Sequence, residues 1–167
     1  INPLSTQLYI LTRDANGDLD VAPDTLKRNL STYLNEFRLI SDAIDILDGR
    51  IFNYTVKFEV LANPDVNKGA LLQTVINRIA SILIIDNFQI DQPIVLDDIN
   101  NVIINTPGVI SLINFKVASR AGTVEGRSYA VDAFDFEAAT KKKLVVGPAG
   151  CIFELKFPAH DIIGNVS

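Results

Sequence analysis

The stretch from Ile51 to Leu83 constrains the fold more than any other part of this chain. From Phe52 the sequence alternates: Phe52, Tyr54, Val56, Phe58 and Val60 fall on one side, Asn53, Thr55, Lys57 and Glu59 on the other. Aromatic and β-branched residues alternating with polar ones are the period-two signature of a β-strand. After Asn63-Pro64-Asp65 the period changes. Leu72, Val75, Ile76, Ile79 and Leu83 then share one stripe of a helix. Burying those side chains contributes roughly 8–15 kcal/mol gross, before conformational entropy is subtracted. A strand feeding such a helix is the nucleus of a packed α+β core and carries no chemistry of its own.

A chain of 167 residues suits one domain, or one domain with arms. It opens on Ile1 and contains no methionine, so it is expected to be a piece of a longer protein. The apolar fraction is 48% and the mean hydropathy is +0.23, both high for a soluble chain. No apolar run approaches the roughly eighteen residues a membrane span needs; the one nearest the main helix is Ile82 to Ile85. The excess is therefore expected inside a core or against a partner chain, with no membrane involved. The net charge of −5 argues against nucleic acid, whose phosphates need a positive surface. The one basic run, Lys141-Lys142-Lys143, reads as a solvated turn. Cys151 is the sole cysteine, so no disulfide can form within the chain.

In order, Gln7–Thr12 reads as a strand, and Asn16-Gly17 marks a hairpin or tight loop. Pro23-Asp24-Thr25 opens a helix to about Phe37, with Leu26, Leu30, Tyr33, Leu34 and Phe37 on its stripe. An irregular link, Arg38 to Asp42, leads to a short strand, Ala43–Asp48. Asp97 or Asp98 is expected to cap a second helix carrying Ile99, Val102 and Ile103, which stops at Asn105-Thr106-Pro107-Gly108. A strand follows over Leu112–Val117, with Ile113, Phe115 and Val117 on one side. Strand, helix, helix, strand makes a split β-α-α-β core. The fold class is thus α+β: a mixed sheet with two or three helices on one face, a loop-rich region, and a C-terminal strand and arm. The boundaries expected are 1–22 for the N-terminal strand and hairpin, 23–118 for the core, and 119–167 for the rest. The closing strand carries Cys151, Phe153, Leu155 and Phe157 on one face, and Pro158–Ser167 reads as an extended arm.

Catalytic sets find little support. His160, the only histidine, lies in the expected tail with no nucleophile in suggestive context. A hydrolase built on Cys151 and His160 would need these two to come within hydrogen-bond distance; core filler is the plainer role for Cys151. Asp42, Asp45 and Asp48 cluster as acids do in glycosidases, but on an edge strand they read as solvated charge. Gly147-Pro148-Ala149-Gly150 lacks the lysine and helix of a phosphate cradle. The loop Asp14–Asp20 offers Asp14, Asn16, Asp18 and Asp20 as calcium ligands, yet Gly17 is fourth and Thr25 twelfth, where an EF-hand wants Gly sixth and Glu twelfth. A small ligand- or calcium-binding module on that loop is the alternative reading. No cofactor is implied.

One ordered pattern goes further. Leu26-Lys27-Arg28-Asn29-Leu30-Ser31-Thr32-Tyr33-Leu34, then Phe37-Arg38, then Ser41-Asp42-Ala43-Ile44-Asp45-Ile46, lead into Val56-Lys57-Phe58-Glu59-Val60. Leu96-Asp97-Asp98-Ile99, Thr106-Pro107-Gly108-Val109 and the ending Ile152-Phe153-Glu154-Leu155-Lys156-Phe157-Pro158 follow in order. This succession resembles the baseplate J-like family of contractile-tailed bacteriophages, in particular the carboxy-terminal part of T-even-like wedge proteins. It covers most of 20–117 and the end. Leu39 departs from the proline many members carry after the arginine, which bears on the subgroup. The resemblance implies a non-enzymatic virion protein of the tail baseplate, assembled in the host cytoplasm. It would pair with itself as a dimer or ring, and with other wedge proteins. A terminal strand with an arm suits addition to a neighbour's sheet edge, so contacts are expected from the 120–150 region and from Ile152, Phe153, Leu155, Phe157, Ile162 and Ile163.

Overall fold

The computed structural model describes residues 5–37 and 43–167. The expected link at 38–42 lies outside them, and with it Arg38, Ser41 and Asp42. The chain divides into two compact units, Ile1–Arg50 and Ile51–Ser167. The expected core segment 23–118 straddles that division. Its first helix and strand belong with the N-terminal strand, while 119–167 completes the second unit.

In the first unit, β1 (Ser5–Ile10) and β4 (Ala43–Asp48) run parallel, from Ser5 opposite Ala43 to Ile10 opposite Asp48. Parallel neighbours cannot be joined by a tight turn, and α1 (Asp24–Asn35) lies in the crossover between them. Within that crossover β2 (Thr12–Arg13) and β3 (Leu19–Asp20) form the expected hairpin. Its turn closes by Gly17 N donating to Asp14 O at 3.0 Å, with Gly17 at φ 89°, where a side chain would be strained. The α1 stripe is real in sequence but only lightly covered. No residue of α1 is fully buried, and Leu26, Tyr33 and Phe37 are 44%, 59% and 70% exposed.

The second unit is built on β5 (Arg50–Ala62). Next come α2 (Lys68–Ile82), β6 (Ile94–Val95), α3 (Leu96–Ile104) and β7 (Val109–Arg120). The chain continues through β8 (Thr123–Val124), β9 (Arg127–Ser128), α4 (Phe136–Ala139), β10 (Thr140–Lys141) and β11 (Leu144–Val145). It closes with β12 (Cys151–Glu154), α5 (Pro158–Asp161) and β13 (Ile162–Val166). The antiparallel strand β7 fills one edge of β5, from Asn53 opposite Arg120 to Ala62 opposite Val109. β12 and β13 share the other edge, β13 running parallel with Ile162 opposite Val56. α2 packs on β13 and α3, and α3 packs on β7. The fold is α+β, as the sequence predicts.

The expected apolar face of β5 is fully used: Phe52, Tyr54, Val56, Phe58 and Val60 are buried with Leu71, Val75 and Ile79 of α2 and Ile99 and Ile103 of α3. The stripe of α2 is turned by one residue, since Leu71 is buried while Leu72 and Ile76 pack at the rim. Asn67 caps this helix, its Oδ1 accepting from Ala70 N at 3.0 Å. Neither Asp97 nor Asp98 caps α3. The ladder of β6 with β11 runs directly into the helix, so Val95 holds the cap position. The two aspartates lie in the first turn, where negative charge suits the helix dipole. On β7 a bulge changes the register between Glu59 opposite Asn114 and Val60 opposite Leu112. Ile113, expected inward, is the extra residue and is 54% exposed.

The C-terminal expectation is corrected. Pro158–Ser167 is not an arm: a one-turn helix and a strand lay it into the sheet. Ile152, Phe153, Leu155 and Ile162 are buried, Phe157 is half-buried, and of the expected contact residues Ile163 alone is exposed. The cause is the edge of β5 left open by β7, which the chain's own last strands occupy. Region 120–150 is likewise tied in. Phe134 and Phe136 join Phe52 and Phe153 in one aromatic cluster, the Phe52 and Phe134 rings stacked at 4.7 Å.

Gly164 tests this docking. A Cβ there would stand 2.3 Å from Phe58 Cζ and 2.6 Å from Leu72 Cδ1. Gly164→Ala is expected to destabilise the protein by about 1–3 kcal/mol, the usual cost of overpacking, read as a lowered urea midpoint. A tail that merely trailed in solvent would leave the midpoint unchanged.

Candidate functional site

The charged and polar residues that the second unit draws together lie around the N-terminal half of β5, on the side opposite its helices. Asn53 and Thr55 are both 1% exposed there, whereas Lys57, further along the same side, is exposed. The cover comes from the segment 122–130, folded back on itself by Gly122 N donating to Ala130 O and Tyr129 N to Gly122 O. Its turn carries Glu125 and Gly126 at φ 51° and 75°, which sets Arg127 at the start of β9.

The Asn53 amide holds three pieces together. Its Nδ2 donates to Glu154 Oε2 at 2.8 Å and to Glu154 O at 3.2 Å, and its Oδ1 accepts from Ala130 N at 2.6 Å. Buried polar groups are stable only when so partnered. Asp161, with no exposed surface, is the second anchor. Its Oδ1 accepts from Tyr129 Oη at 2.7 Å and its Oδ2 from Phe157 N at 3.0 Å, so the carboxylate closes the first turn of α5. Arg120 Nε stands 3.9 Å from the same Oδ1 and has no hydrogen-bond partner among the described residues. The Tyr129 ring meets Phe157 edge-on at 5.3 Å. Beside them, Arg127 Nη2 lies 2.7 Å from His160 Nε2.

Burial, and then the bond to Asp161, push the Tyr129 phenol up to about 12, against the opposing pull of Arg120 and Arg127. Tyr54, on the helix-packed side of β5, is buried with its hydroxyl unpartnered among the described residues, and burial drives its pKa upward.

The residues singled out in the sequence are not gathered here, His160 excepted. Cys151 is buried, its Sγ so close to the Gly147 backbone that a Cβ at Gly147 would strike it. His160 faces Arg127. Asp45 accepts from Ser5 Oγ across the parallel pair, and Asp48 accepts from Lys27 Nζ at 3.1 Å; Asp42 lies outside the described residues. In the Asp14–Asp20 loop, Asp14 Oδ1 accepts from Asn16 N at 2.8 Å and Asp18 N at 2.9 Å. That carboxylate caps its own turn. Lys142 and Lys143, both at positive φ, form the turn between β10 and β11, and Lys143 Nζ reaches Asp97 Oδ1 at 2.8 Å. A groove of about 280 Å³ between α2 and α3 is lined by Arg78, Ser81, Ile82, Asn101, Val102 and Asn105. Arg78 is already engaged there, Nη1 donating to Asn105 O at 3.0 Å at the end of α3.

Asn53, Arg120, Arg127, Tyr129 and Asp161 are the members sequence reasoning passed over. One signal was available: along the polar side of β5, Asn53 and Thr55 are uncharged, and charge begins at Lys57 and Glu59. The change of residue type marks where cover ends. No protein-family model matches this chain, and neither does any curated protein.

The Tyr129 shift sets a pH dependence. The folded state holds the phenolic proton more tightly than the unfolded chain, whose value is 10.0, so the associated stability is complete below about pH 10 and lost as pH rises toward 12. Tyr129→Phe is expected to remove one late-ionising phenol from an ultraviolet phenolate titration and to flatten the loss of stability across that window. Loss of a component that titrates near the ordinary value of 10.0 instead would contradict the Tyr129–Asp161 bond.

Proposed function

We propose that this chain is a structural subunit of a contractile-tail baseplate wedge, a virion protein that works by associating with copies of itself and with other baseplate proteins rather than by catalysis. The ordered motifs that resemble the baseplate J-like family support this reading. Among the described residues they fall on successive elements: α1, β4, β5, the start of α3, the turn before β7, and β12. The observation that carries the proposal is apolar surface left uncovered in both units. In the first, Leu26 and Tyr33 stand out along α1 and Phe37 just beyond its end, with the Tyr33 and Phe37 rings 5.0 Å apart. In the second, Ile110, Ile113, Val131 and Val146 are each more than half exposed. Single exposed apolar residues are ordinary, whereas groups of them on adjoining turns favour burial against another chain.

Sedimentation velocity from micromolar to hundreds of micromolar protein provides the test. The expected result is a concentration-dependent rise in mass that Tyr33→Glu with Phe37→Glu reduces, while circular dichroism stays unchanged because both side chains are exposed. A strict monomer at every concentration would overturn self-association.

A further inference from the structure

Between α1 and β4 the first unit holds a groove of about 630 Å³, lined by Lys27, Arg28 and Ser31 of the helix and by residues 44–47 of the strand. Successive residues of a strand point to opposite faces, so a cavity that touches four in a row runs along the strand's edge. β4 pairs with β1 alone, and this edge is the one left without a neighbouring strand among the described residues. Lys27 Nζ meets both Asp48 carboxylate oxygens at 3.1 Å, which sets α1 over the face that carries Ile44, Ile46 and Asp48. One wall of the groove is thus a bare strand edge and the other a helix. The two β4 aspartates, which would otherwise repel an acidic chain, are both committed: Asp45 accepts from Ser5 Oγ and Asp48 from Lys27 Nζ. Arg28 is exposed and has no acidic partner among the described residues, so the uncommitted charge of the groove is positive.

We propose that this groove takes an extended acidic segment of another polypeptide, added to β4 as a third strand with one of its carboxylates on Arg28. Strand addition at an open edge draws affinity from main-chain hydrogen bonds and specificity from the side chains that meet the walls. A two-stranded sheet is marginal in water, so the incoming strand supplies what the unit lacks. Charge selects the occupant. A carboxylate matches the planar fork of a guanidinium, whereas a basic segment would meet like charges at Lys27 and Arg28. A second copy of this chain fits less well, because two β4 strands joined about a two-fold axis would bring both Arg28 flanks together on one face. By helical spacing Arg28 and Ser31 lie on the flank of α1 opposite Leu26 and Tyr33. The groove is therefore separate from the surface assigned above to self-association, and neither depends on the other.

The experiment titrates a short fluorescent peptide of alternating valine and glutamate with the whole chain, reading anisotropy. Saturable binding is expected, weakened about three- to tenfold by Arg28→Glu and weakened also by added salt. Circular dichroism stays unchanged in that variant, because Arg28 is exposed. The same peptide with lysine for glutamate, or with its backbone amides N-methylated, is expected not to bind. Tyr33→Glu with Phe37→Glu leaves peptide binding intact, so failure of this site and failure of self-association are read separately. No saturable binding of the glutamate peptide, equal binding of the N-methylated one, or undiminished binding in Arg28→Glu would overturn the proposal. Self-association abolished by Arg28→Glu, with no peptide bound, would overturn it too and give the groove to a second copy.

Discussion

The second unit depends on β5 being paired along both edges and covered on both faces at its N-terminal half. A strand in that position cannot tolerate an unpartnered donor or acceptor, because no water reaches it to compensate. Everything packed around it can be understood as meeting that demand. β7 fills one edge, the last strands of the chain fill the other, and α2 and α3 cover the apolar face. On the polar face Asn53 sits where a fourth piece of chain must close over it, and its amide joins that piece to β12. Replacing such an amide would leave the carbonyl and amide groups around it orphaned, at a cost of about 1–3 kcal/mol for each buried group.

The contrast with the first unit is physical. A parallel pair of strands normally lies buried on both faces. Here β1 and β4 have α1 in their crossover, no residue of that helix is fully enclosed, and its Leu26 and Tyr33, with Phe37 just beyond it, look outward. Two strands alone make a marginal sheet in water. The unit therefore has the secondary structure of a folded domain without the enclosed interior of one. It is this uncovered surface that the proposed self-association would bury.

The elements with strong period were legible in the sequence. The alternation from Phe52 to Val60 and the spacing of Val75, Ile79, Ile99 and Ile103 required only that each element have one apolar side, and the structure uses those sides. What was not legible depended on contacts between distant residues. Nothing local in Leu112-Ile113-Asn114 announces a bulge, which is set by pairing with Glu59 and Val60. Pro158–Ser167 looks like an arm because its period is short and interrupted by Gly164; that glycine is what lets the strand lie against Phe58. The Tyr129–Asp161 bond joins residues 32 positions apart on elements too short to show a period. The polar cluster was hidden for the same reason.

The late arrival of β12 and β13 has a consequence for how the molecule comes to exist. The bond between Asn53 and Glu154 spans 101 residues, and that between Glu59 and Asn165 spans 106. During synthesis β5 therefore leaves the ribosome long before its second neighbour does, with one hydrogen-bonding edge bare. Closing loops of that length slows folding, and a bare strand edge can recruit the wrong chain. A nascent chain of this kind remains vulnerable to mispairing until β12 and β13 have emerged.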